Sequence, residues 1–79
     1  MIDLYIWDKC PFCLKVLRAA DELALKKDED YAILDAAPGT EGRREVERIG
    51  GKAMVPFLVD GDTSMYESDD IIEYLKEKA

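Results

Sequence analysis

Between Ile2 and Asp35 the apolar pattern changes period twice, and that change restricts the fold more than any other feature. Ile2, Leu4 and Ile6 alternate with Asp3, Tyr5 and Trp7, the period of a strand, so residues 2–7 are predicted as one. From Pro11 the apolar residues Leu14, Leu17, Ala20 (or the neighbouring Asp21) and Ala24 recur at helical spacing. Proline suits a first helical position because the N–H it lacks has no partner there, so the spacing predicts a helix over about 11–26. Tyr31–Asp35 then reads as a short buried strand, after a polar connection through Lys26–Asp30. Strand, helix and strand imply a right-handed crossover and a parallel pair.

The remainder is punctuated as clearly. Pro38, Gly39 and Thr40 precede a short amphipathic helix that Thr40 caps. Val46 and Ile49 are expected to face inward there, with Arg43, Arg44, Glu45, Glu47 and Arg48 in water and Gly50-Gly51 as the stop. Asp60-Gly61-Asp62 lies between Phe57–Val59 and Thr63–Tyr66, the signature of an antiparallel hairpin. Ser68 is expected to cap a last helix with Asp69 and Asp70 in its first turn and Ile71, Ile72 and Leu75 as its core stripe. The order is βαβαββα, an α/β chain read as a single domain over residues 1–79.

Composition narrows the function. The chain is 48% hydrophobic and 37% charged, which suits a folded protein rather than a disordered one. Its formal net charge of -7 opposes binding to nucleic acid, whose phosphates require clustered Lys and Arg. No apolar stretch is long enough to span a membrane or serve as an export signal, so a reducing, cytoplasmic setting is expected.

In that setting Cys10 and Cys13 carry the chemistry. A disulfide between them closes too small a loop to act as a staple. Zinc normally takes four ligands, and the chain has two Cys and no His. Cys10 is placed just before a helix, where free N–H groups and the helix dipole favour a thiolate, and Lys9 adds a positive neighbour. Cys13, one turn further, is expected to be more shielded and to act as a resolving thiol. Val55-Pro56 stands at a strand entrance; by local sequence a trans bond is the default, and cis would mark a specific device. Ser68 and Asp69 read locally as a helix start, although N–H donors with a nearby carboxylate also suit an anion and an ammonium.

Cys10-Pro11-Phe12-Cys13, Met54-Val55-Pro56 and Glu67-Ser68-Asp69 occur in the order and approximate spacing of glutaredoxins, and the chain resembles that family along its whole length. The resemblance implies a thioredoxin-like fold with a four-stranded mixed sheet and three helices. It further implies a cis Val55-Pro56 facing the cysteines, Val55 backbone groups offered to glutathione, and Ser68-Asp69 at its γ-glutamyl end. Lys52 matches a basic position directed at the glycine carboxylate, and Lys9 is a second candidate, although the family often has its lysine where this sequence has Trp7. Phe12 replaces the usual Tyr.

The implied activity is reduction of protein or glutathione mixed disulfides by a monomer, with glutathione as co-substrate and no tightly bound cofactor. Disulfide-containing proteins are the implied partners, with neither nucleic acid nor membrane. Two alternatives stand beside it: a thioredoxin-like reductant fed by a reductase, and a [2Fe-2S] protein holding its cluster through Cys10 and glutathione, against which Pro11 argues by resemblance. Tyr66–Ile72 also looks like the corresponding helix start of glutathione transferase N-terminal domains. The sequence contains no helical second domain to wall a large hydrophobic co-substrate, so that reading ranks below the first.

Overall fold

The computed structural model describes residues 1–79. Its elements are β1 (Ile2–Ile6), α1 (Pro11–Glu22), β2 (Tyr31–Asp35), α2 (Glu41–Gly50), β3 (Phe57–Asp60), β4 (Thr63–Met65) and α3 (Ser68–Lys78). The four strands lie in the order β2-β1-β3-β4. β1 runs parallel to β2, with Ile2 opposite Tyr31 and Ile6 opposite Asp35. It runs antiparallel to β3, with Leu4 opposite Leu58, and β3 turns back onto β4 through Asp60 and Thr63. This is the thioredoxin-like arrangement that the resemblance implies. No helix is long and apolar enough to cross a membrane.

Alternation along β1 gives the sheet two buried faces. Ile2, Leu4 and Ile6 meet Cys13, Val16 and Ala20 of α1 and Ile71 and Leu75 of α3 in one core. Tyr5 faces the other way and packs with Phe57, Ala36 and Val46 of α2. Both cores are built from hydrophobic residues, and burying each large side chain contributes about 1.5–3 kcal/mol.

Several local expectations shift. α1 ends at Glu22 rather than near residue 26, because Ala24 turns to φ 61 and the Asp30 carboxylate accepts from the Lys26 N–H at 2.7 Å, folding 26–30 into its own turn. The inward stripe of α1 is Cys13, Val16 and Ala20, so Leu14 points out, 47% exposed. β2 is an edge strand rather than a buried one, and only Tyr31 of it is fully buried. Ile49 is 36% exposed, since α2 stops one residue later. The strands predicted to reach Trp7 and Tyr66 end one residue short of each.

Candidate functional site

The β1–α1 connection is closed by the Cys10 N–H donating to the Trp7 carbonyl at 3.0 Å, which sets Cys10 at the N-cap of α1. No side chain caps this helix, and no acidic residue stands in its first turn. The Cys10 thiol donates to the Val55 carbonyl oxygen, Sγ to O 3.9 Å. The Val55-Pro56 bond is cis, as the resemblance implied.

Cys13 is fully buried. Its sulfur accepts from the Trp7 N–H at 3.5 Å, closing the same connection from within. Burial, above all, pushes its thiol up to about 12, and the neighbouring Cys10 adds to the rise while the Trp7 N–H opposes it. The two cysteines are therefore unequal: one only partly buried at a helix start, the other a neutral core thiol at ordinary pH.

The segment bearing Val55 is tied down from two sides. Gly51 ends α2 at φ 90, a conformation that favours glycine. The Tyr66 hydroxyl donates to the Lys52 carbonyl at 2.6 Å and accepts from the Lys52 N–H at 3.0 Å. A Cβ on Gly50 would run into that hydroxyl, so Gly50 serves a close approach and Gly51 the stop. Arg43 donates from Nε to the Ala36 carbonyl at 2.6 Å and from Nη1 to the Ala53 carbonyl at 3.0 Å. It is thus a clamp between α2 and the Val55 segment, not the freely solvated residue that the helix pattern suggested.

Two grooves open beside this segment, and Met54 and Val55 border both. The first, about 250 Å³, brings Phe12, Val55, Pro56, Ser68 and Asp69 together as the sequence suggested. Lys15, Met54, Tyr66 and Glu67 complete its lining. The second, about 350 Å³, gathers Cys10, Trp7, Lys9 and Arg43. Lys52 borders neither groove; its backbone serves the Tyr66 lock instead.

The start of α3 also differs in detail. Glu67 takes the N-cap position at φ 58, ψ 113 without a side-chain cap, and Ser68 is the first helical residue, almost fully buried. Asp69 is engaged by Lys15, whose Nζ lies 2.6 Å from Oδ1. Lys15, Arg43 and Tyr66 escaped the sequence reading because their partners lie far along the chain or on backbone atoms. Only the Thr40 cap, three residues before Arg43, hinted at where that side chain starts.

The family described as the glutathione S-transferase N-terminal domain matches residues 4–79, so the likeness that ranked second from the sequence is the one a family match supports. Among solved structures, Leishmania TDR1, a trimeric glutathione transferase, is 29% identical with a TM-score of 0.78, over 96% of this chain and 16% of that one. A glutathione S-transferase-I bound with lactoylglutathione is 25% identical with a TM-score of 0.77, over 98% of this chain and 36% of that one. A glutathione transferase homologue from Sulfitobacter with bound glutathione is 24% identical with a TM-score of 0.78, over 100% and 37%, a likeness of fold. The chain spans only 16%, 36% and 37% of the lengths of these three. No curated protein matches it.

Proposed function

Because the chain belongs to the family of glutathione S-transferase N-terminal domains, we propose that it binds glutathione and uses Cys10 for glutathione-coupled thiol–disulfide exchange. The observation that carries this reading is the Cys10 sulfur at the uncapped start of α1, in the wall of the second groove and 3.9 Å from the carbonyl of Val55, which borders both grooves. An uncapped helix start leaves N–H donors and the positive end of the dipole to a thiolate. The cysteinyl part of glutathione pairs with the Val55 backbone. Its γ-glutamyl end follows the first groove to Ser68 and Asp69, past Phe12 and Pro56. Its glycine carboxylate turns toward Lys9 and Arg43 rather than Lys52.

The exchange is a pair of displacements. The Cys10 thiolate attacks the glutathione sulfur of a mixed disulfide; the old S–S bond breaks, a Cys10–glutathione bond forms, and the released thiolate takes a proton from water. The thiolate of a second glutathione then attacks the glutathione sulfur bonded to Cys10, giving oxidised glutathione and restoring the Cys10 thiolate. Two electrons pass from glutathione to the substrate. Cys13, buried and neutral, is a poor resolving nucleophile in the folded protein, so glutathione performs that step for mixed disulfides.

The test is reduction of a small glutathione mixed disulfide, coupled to glutathione reductase and NADPH. Cys10→Ser is expected to fall to the rate without protein, and Cys13→Ser to keep most of the wild-type rate. An active Cys10→Ser protein would sink the assignment. The family match favours a second reading, conjugation of glutathione to an electrophile. Conjugation of an activated chloroarene that survives Cys10→Ser, with no disulfide reduction by the wild type, would establish that reading instead.

A further inference from the structure

Lys15 has no part in the exchange just described, yet its position is specific. It lies on α1 and reaches across to α3, 54 positions away in sequence, where its ammonium meets Asp69 at 2.6 Å. Both side chains are largely exposed, 52% and 82%, and exposed pairs of this kind hold a fold together weakly. Both border the first groove. The end of that groove is otherwise acidic, with Glu67 and Asp69 on its wall and Asp70 beside them, and Lys15 is its one cation. Without Lys15, a carboxylate entering there would meet only like charge.

Resting on the glutathione reading above, we propose that Lys15 is a binding and specificity residue that, with Asp69, selects thiols whose γ-glutamyl end is a complete zwitterion. The α-carboxylate and α-ammonium of such an end share one carbon, so their separation is of the same order as that of the Lys15–Asp69 pair. The zwitterion inserts antiparallel to the pair, its carboxylate against the Lys15 ammonium and its ammonium against the Asp69 carboxylate. Each protein charge then exchanges one partner for another of the same sign, and neither is stranded. The N–H groups at the start of α3 supply further donors to the same carboxylate. Thiols with only one of the two charges leave Lys15 or Asp69 facing the other's partner, and bind less well.

Calorimetry on the Cys10→Ser protein tests this with three probes: glutathione, its analogue lacking the α-amino group (glutaryl-cysteinylglycine) and its analogue lacking the α-carboxylate (4-aminobutyryl-cysteinylglycine). Adding Lys15→Met is expected to weaken glutathione about tenfold, the scale of one lost charge-assisted contact, while leaving the analogue without the carboxylate within about twofold. Lys15→Arg should restore most of the loss. Asp69→Asn should give the mirror pattern, sparing the analogue without the amino group. Unchanged glutathione binding in Lys15→Met, or equal weakening of all three probes, would overturn the role of Lys15 and leave the glutathione reading standing. A Cys10→Ser protein that binds no glutathione would overturn both.

Discussion

α1 and α2 begin in opposite ways. At α2 the Thr40 hydroxyl accepts from the Arg43 N–H at 3.2 Å, and Glu41 places a carboxylate in the first turn. The donors and the positive end of that helix are spent locally, and the start works as a joint between β2 and the second core. At α1 the N-cap is Cys10, its sulfur makes no capping bond, Pro11 removes a donor, and the first turn carries no acid. That positive end is left for an anion, and the Cys10 side chain stands at its mouth. A helix start that serves only the fold is closed by its own side chains; one that faces a groove is left open at some cost in helix stability. The start of α3 lies between the two, acidic like α2 yet uncapped by any side chain, and bordering a groove like α1.

The contrast can be broken most readily at the cysteines. In Cys13→Ser, Cys10 should react with iodoacetamide at pH 7. In Cys10→Ser, Cys13 loses the part of its rise that Cys10 supplies but keeps the burial that is the largest cause, and should be inert. In the wild type a thiol pushed up to about 12 has on the order of 10⁻⁵ of its population ionised at pH 7; with burial still in place in the variant, the two rates should differ by at least about a hundredfold. The Cys13 rate should climb steadily with pH from 7 upward and show no plateau by pH 10, because the neutral form dominates throughout that range. Comparable rates at pH 7 would remove the distinction between an open and a buried thiol.

At the closed start, Thr40→Ala should lower stability by about 1 kcal/mol, read as a shift in the denaturation midpoint, since it strips the side-chain acceptor from a helix N-terminus. Disulfide reduction per folded molecule should be unchanged. The smallest effect is expected from Phe12→Asp, which gives α1 the first-turn carboxylate that α2 already has. Cys10 alkylation should slow by about two- to fivefold at low salt and recover as salt is added. A faster reaction in that variant would mean that the bare start of α1 has no bearing on the thiol.

The order of elements, the Thr40 cap, the glycine stop of α2, the Asp60-Gly61 hairpin and the placing of Cys10 before a helix were all legible before any coordinates, because each depends on residues within a turn or two of one another. The facing of α1 was only partly so. Ala20 is buried and Leu17 packs against the core as expected, whereas Leu14, a large apolar residue that also drew the predicted stripe, is exposed. Cys13 and Val16 join Ala20 on the buried face, side chains small enough for α1 to pack against β1 and α3. Of the expected site residues, Phe12, Val55, Pro56, Ser68 and Asp69 share one groove and Lys9 borders the other, whereas Lys52 is drawn into a backbone lock by Tyr66.

The sequence by itself determined where strands and helices begin and end to within a few residues, and which thiol stands at a helix start, because periodicity, capping and turn chemistry act over a few neighbouring residues. The resemblance implied the cis Val55-Pro56 bond, and the helix spacing a shielded Cys13, and the structure holds both; only the tertiary structure decided that Arg43 clamps the segment beside Cys10 and that Lys15 meets Asp69. Those depend on groups brought together across the fold, where burial and long-range pairing outweigh any local preference.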